Sequence, residues 1–185
     1  GRAVESAAAA GADIIILPEA MDLGWAHHSA AELAEPVPDG STFEHLSELA
    51  VDHAIYLCAG ITERAGDHIY NSAVLIDRRG RLLIKHRKIN ELEFARKIYH
   101  TGHETEVCAT EFGKVGIMVC ADAFADELHV SRSIGRKGAR LILSPCAWAV
   151  DSDHDNVKEP YGRDVWDPAY TILAEKRNLA TVGVS

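Results

Sequence analysis

Glu19, Lys88 and Cys120 are residues of three different chemistries that occupy matching places, each at or just past the end of a stretch that reads as a β-strand. A cysteine attacks as its thiolate, so a catalytic cysteine needs a base or a cation close by. A carboxylate such as Glu19 can take the thiol proton and later activate water. An ammonium group such as Lys88 can stabilise the oxyanion that forms on an attacked carbonyl. Open α/β sheets bind ligands at the carboxyl ends of their strands, so these three can face one pocket despite their separation in sequence. The other cysteines fit structural places. Cys58, within an apolar strand, and Cys108 are most simply structural, and Cys146 follows a strand end near the same pocket, where packing or pocket lining is favoured over attack.

The elements that would position these residues are readable from pattern. Arg2 to Ala10 is alanine-rich and reads as a helix stopped by Gly11. Ala12 to Leu17 is β-branched and nearly continuous in apolar character, which suggests a central strand buried on both faces and stopped by Pro18. Ser41-Thr42-Phe43-Glu44 matches a capping box and opens a helix from Thr42 to His53. Ala54 to Glu63 is the next strand. Ser72 to Asp77 and Arg81 to His86 flank Asp77-Arg78-Arg79-Gly80, a turn sequence that predicts an antiparallel pair. Lys114 to Val119, Asp126 to Arg136 and Arg140 to Ser144 form a β-α-β unit, with Gly138 closing the helix. Tyr170 to Arg177 reads as a helix and Leu179 to Val184 as a strand.

Composition bounds the function. The chain has 185 residues, is 47% hydrophobic and carries a formal charge of −9, with basic and acidic residues interspersed. That balance argues against a nucleic-acid surface and against recruitment to anionic lipid, leaving a small-molecule partner as the default. No run is long enough for a spanning helix and no leader pattern is present, so cytoplasmic residence is expected. The cysteines contain no Cys-x-x-Cys pair, which disfavours a disulfide framework or zinc site. His27-His28 and His100-x-x-His103 lack the spacing and glutamate of a zinc protease motif, so neither a metal nor another cofactor is expected.

Leu17-Pro18-Glu19-Ala20, Lys85-His86-Arg87-Lys88-Ile89 and Gly116-Ile117-Met118-Val119-Cys120-Ala121-Asp122 resemble, in order, the three signature segments of the nitrilase (carbon-nitrogen hydrolase) superfamily. The likeness extends to Tyr70-Asn71-Ser72-Ala73, Ser144-Pro145-Cys146-Ala147-Trp148 and Ala174-Glu175-Lys176-Arg177-Asn178, and covers nearly the whole chain.

That resemblance implies an α/β fold, an αββα sandwich, with a Glu19-Lys88-Cys120 triad in a single domain over residues 1–185. Against the family pattern the domain is incomplete, with the first strand and a C-terminal part missing. Lys88 fits the family position better than Lys85. A second carboxylate is expected near the nucleophile, either Glu91 or Glu93, with Glu91 favoured. The backbone N–H of Ala121 would join Lys88 at the oxyanion, while Trp148 and Phe124 would line the pocket. Asp126 replaces the usual proline after Phe124, which puts the local loop shape in question. Ala121-Asp122 after the cysteine looks more like the amide and carbamoyl branch than true nitrilases, so the expected substrate is a small amide or N-carbamoyl compound. Nitrile hydrolysis, acyl transfer and a silent binding subunit are the alternatives, and a homodimer or larger homo-oligomer is the expected assembly.

Overall fold

A computed structural model of the chain describes residues 1–155, 157–159 and 166–185. Its described elements are two four-stranded sheets packed face to face with helices on their outer sides, the αββα sandwich. The first sheet runs in order β1 (Ile14–Leu17), β2 (Tyr56–Ala65), β3 (His68–Ile76) and β4 (Leu82–Arg87). β1 and β2 are parallel, whereas β2-β3 and β3-β4 are antiparallel, as the Asp77–Gly80 turn predicts. The second sheet runs β5 (Val107–Thr110), β6 (Gly113–Ile117), β7 (Leu141–Pro145) and β8 (Ala180–Val184), with β6, β7 and β8 parallel.

Strand alternation builds both layers of core. In β2 and β3, Cys58, Ala73 and Leu75 face the second sheet, where Val115, Ile117 and Leu143 meet them. Leu57, Ala59, Val74 and Ile76 point the other way, beneath α1 (Arg2–Ala9) and α2 (Ser41–Asp52), which supply Val4, Phe43, Leu46 and Ala50. The second sheet is covered by α3 (His129–Arg136) and α4 (Trp166–Arg177), through Val130, Ile134 and Ala169. Gly116 lies so close to Ile134 that a Cβ there would fall 2.3 Å from its side chain, so the α3 crossing requires this glycine. No helix among the described residues is long and apolar enough to cross a membrane.

Four readings need correction. β1 is not central; it is the outer strand of its sheet among the described residues. Its apolar character on both faces has another cause, since Ile15 and Leu17 pack in the helix-side core while Ile14 and Ile16 pack in the core shared with the second sheet. The α2 helix is capped not by its own Ser-x-x-Glu sequence but by Glu35, whose carboxylate accepts from Ser41 Oγ and from the Thr42 N–H at 2.9 and 3.0 Å. The strand before Cys120 ends at Ile117, leaving room for a turn. The helix expected from Asp126 starts only at His129, because Glu127 and Leu128 adopt positive φ values of 54° and 56° and break it.

Candidate active site

Glu19 follows β1, Lys88 follows β4, and Cys120 follows β6 after a short extended link. The structure brings the first two into contact: Lys88 Nζ donates to Glu19 Oε1 at 2.6 Å. Asn71 Nδ2 donates to the same oxygen at 2.7 Å. The Cys120 thiol lies within electrostatic reach of both charged groups. All three triad side chains are buried, Lys88 completely.

The backbone explains how each is held. Gly60 in β2 passes directly under Glu19, where a Cβ would sit 2.4 Å from the Glu19 Cα, and its N–H donates to Pro18 O at 3.1 Å. Only glycine permits that approach. The Glu19 N–H donates to Cys146 O at 3.0 Å, which ties the segment to the second sheet. Strand alternation sorts the basic run of β4: Lys85 and Arg87 turn to Glu63, at 2.7 and 2.6 Å, while His86 and Lys88 turn to the site. Lys85 is thereby engaged by Glu63 and Val37 O rather than by Glu19. Cys120 itself adopts φ 46°, in the left-handed region that costs a non-glycine residue energy, at the head of the 3₁₀ turn Cys120–Phe124. In such a first turn the backbone N–H groups have no partner within the helix, which leaves that of Ala121 available to an oxyanion.

Asp122 locks the Cys120 turn to the Lys88 loop. Its buried carboxylate accepts from His86 Nε2 at 2.8 Å and from the N–H groups of Val119, Ile89 and Asn90 at 2.9, 3.0 and 2.8 Å. Burial pushes its acidity toward the neutral form, but these donors outweigh it and hold the carboxyl below the ordinary range. The sequence reading missed this role, and that of Asn71, although the latter lies in one of the segments that resemble the family.

Of the two candidate carboxylates, Glu91 is 1% exposed and stands at these groups, whereas Glu93 faces solvent. Glu91 Oε2 stands 3.6 Å from Lys88 Nζ, and neither of its oxygens makes a well-formed hydrogen bond among the described residues. Burial opposes the Lys88 charge, but the Glu19 and Glu91 carboxylates outweigh it and keep this lysine above its usual value, so it stays cationic. Trp25 lies over the ammonium, with its ring centroid 5.1 Å from Nζ. Trp148 lies beside the Cys120–Phe124 turn. It is partly exposed, edge-on to Phe124 at 6.4 Å, and hydrogen-bonded through its backbone to Ser185. His27, His28, His100 and His103 are exposed, and His100 stacks on His68.

Glu91 gives the site a measurable pH signature. Burial pushes its carboxyl up to about 7 from 4.5, with Lys88 pulling down and Glu19 pushing up. The unfolded chain releases this proton first as pH rises, so stability falls between pH 4.5 and about 7 and the deficit is constant above that. Glu91→Gln should therefore gain little over wild type at pH 5 and about 3 kcal/mol above pH 7. Urea midpoints of the two proteins at pH 5 and pH 8 measure this, and a pH-independent difference would contradict the burial argument.

The fold and these groups together define a nitrilase-type sandwich carrying a buried glutamate, lysine and cysteine. The chain belongs to the carbon-nitrogen hydrolase family, whose model matches residues 1–181. It is 32% identical over 197 residues to a nitrilase of Pyrococcus abyssi, covering 98% of this chain and 70% of that protein. It is 34% identical over 155 residues to an omega-amidase of Xenopus tropicalis, covering 78% of this chain and 55% of the relative, so it spans little more than half of that protein's length. Among solved structures, a variant of the amidase from Nesterenkonia sp. AN1 with acrylamide added at its active-site cysteine shares the fold at TM-score 0.80 and 20% identity, over 99% of this chain and 68% of that one. A Saccharomyces cerevisiae member of branch 10 of the nitrilase superfamily does so at TM-score 0.79 and 24% identity, over 100% of this chain and 65% of that one.

Proposed function

We propose that this domain hydrolyses a carbon-nitrogen bond in a small amide or N-carbamoyl compound through a thioester on Cys120, releasing ammonia or an amine. The observation that carries this reading is the fully buried Lys88 ammonium, bonded to Glu19 and beside Glu91 and Cys120. Burying a charge this deeply is costly, and a module that only binds has no need of an aligned cation, carboxylate and thiol.

The Cys146 thiol next to it, burial and the Glu19 charge all push the Cys120 thiol up, against the pull of Lys88, so it rests protonated. Glu19 takes the proton as the sulfur attacks the carbonyl carbon. Lys88 and the Ala121 N–H hold the oxyanion of the tetrahedral intermediate. The leaving amine departs with the proton that Glu19 returns, and a thioester remains. Glu19 then deprotonates a water, whose attack passes through a second oxyanion and frees the acid and the thiol. The underused Glu91 oxygens are placed to accept from a substrate N–H, which orients an amide and suits a nitrile less well. Trp148, beside Phe124 of the nucleophile turn, would contact the acyl side. Nitrile hydrolysis is the second reading, favoured by the similarity to the Pyrococcus abyssi nitrilase.

Intact-mass measurement and ammonia assay with a panel of small amides, N-carbamoyl amino acids and nitriles test this. An acyl adduct and ammonia from the amide or carbamoyl members are expected. Adducts from nitriles alone would move the assignment to the second reading, and no adduct with any member would overturn both in favour of a binding subunit.

A further inference from the structure

Cys146 stands at the carboxyl end of β7, beside the Cys120 turn. β6 and β7 are parallel, with Val115, Gly116 and Ile117 opposite Leu141, Ile142 and Leu143. The Met118 N–H still donates to Leu143 O at 3.2 Å before the chain turns into Cys120, which brings the turn beside the end of β7 that leads into Cys146. Both thiols are buried in the same core cluster and both are reduced. Each thiol lies in the other's immediate electrostatic surroundings.

Cys146 is also held in one orientation. Its backbone N–H donates to Val184 O at 2.8 Å, and its thiol donates to Ser144 O at 3.3 Å with the Tyr170 hydroxyl 3.8 Å away. The neighbouring Cys120 thiol, joined by the hydrogen bonds with Ser144 and Tyr170, holds this thiol below its ordinary value in spite of burial. Cys58, in contrast, is fully buried in β2 with its thiol pushed up, and Cys108 lies on β5, the outer strand on the far side of β6 from β7.

We propose that Cys120 and Cys146 form a dithiol modification site at which a peroxide converts the nucleophile reversibly to a disulfide. The first step rests on the reading of Glu19 as the base. Glu19 takes the Cys120 proton, and the sulfur attacks one oxygen of hydrogen peroxide. The O–O bond breaks, the sulfur is oxidised by two electrons to a sulfenic acid, and the departing hydroxide takes the proton from Glu19 as water. The Cys146 sulfur then attacks the sulfenic sulfur. The S–S bond forms, the S–O bond breaks, and the hydroxyl leaves as water with the Cys146 proton. Two thiols and one peroxide give one disulfide and two waters. A thiol reductant reverses the change, and capture by Cys146 keeps Cys120 from the irreversible sulfinic stage.

The test is peptide mapping without reduction after hydrogen peroxide treatment of the intact protein and of Cys146→Ala and Cys146→Ser. Wild type should lose about 2 Da, yield a cross-linked peptide containing Cys120 and Cys146, and regain its free thiols with dithiothreitol. The variants should instead gain about 32 Da at Cys120, and dithiothreitol should not reverse it. A wild type that gains oxygen at Cys120 without cross-linking, that cross-links through Cys58 or Cys108, or that does not react at all overturns the proposal. Should both variants fail to fold, the wild-type map alone decides. Because mass rather than turnover is read, failure of the amide-hydrolysis reading would show as a missing acyl adduct and leave the cross-link result independent.

Discussion

Cys120→Ala is expected to lower kcat/KM for the hydrolysed amide by at least about 10⁴-fold, and to abolish any acyl adduct in the intact mass. Removing a covalent nucleophile eliminates the two-step path itself, and in comparable hydrolases such losses reach about 10⁶ in kcat. The loss belongs to chemistry rather than folding. Alanine faces the same positive φ of 46° as the cysteine it replaces, and removal of one buried sulfur leaves only a small void. Thermal unfolding of the variant should therefore lie within a few degrees of wild type while turnover vanishes. Residual turnover within tenfold of wild type would show that Cys120 is not the nucleophile.

Glu19→Gln should cost about 10³-fold in kcat with a much smaller change in KM. The substitution is close to isosteric, and it preserves the acceptor that both Lys88 Nζ and Asn71 Nδ2 use, since both donate to Oε1. What it removes is basicity: an amide oxygen cannot take the thiol proton or activate the water, and positioned general bases contribute about 10²–10⁴-fold. Both half-reactions should slow, so a stopped reaction should hold less acyl-enzyme at short times. The measurement is rapid-quench mass spectrometry beside steady-state kinetics. Turnover within threefold of wild type would assign the proton transfers elsewhere.

How much of this was legible depended on the range of the interaction concerned. Helices and strands with strong local periodicity, such as Ser41–Asp52 and the β3-β4 hairpin, could be read because the pattern that forms them is local. The family-like segments pointed to Glu19, Lys88 and Cys120, and strand-end placement allowed them to meet. The outer position of β1 was not legible, since an apolar run looks the same at the centre of a sheet and between a helix and a second sheet. Short β5 and the early end of the strand before Cys120 are decided by pairing and by a left-handed turn, neither of which has a hydrophobic period. The choice of Glu91 over Glu93 follows from which side of one turn the sandwich covers. Glu35 as a remote cap and Asp122 as the centre of a hydrogen-bonded lock are tertiary effects that no window of sequence contains.

The lock made by Asp122 joins the Lys88 loop of the first sheet to the Cys120 turn of the second. Neither sheet alone holds all three groups, because Glu19 and Lys88 follow strands of one and Cys120 follows a strand of the other. The Cys120 thiol therefore meets the Glu19 carboxylate and the Lys88 ammonium only once the two sheets are packed together. Contacts so distant along the chain form late and slowly. On the proposed function, the return of acyl-adduct formation at Cys120 in a refolding experiment is thus a clock for the docking of the two sheets.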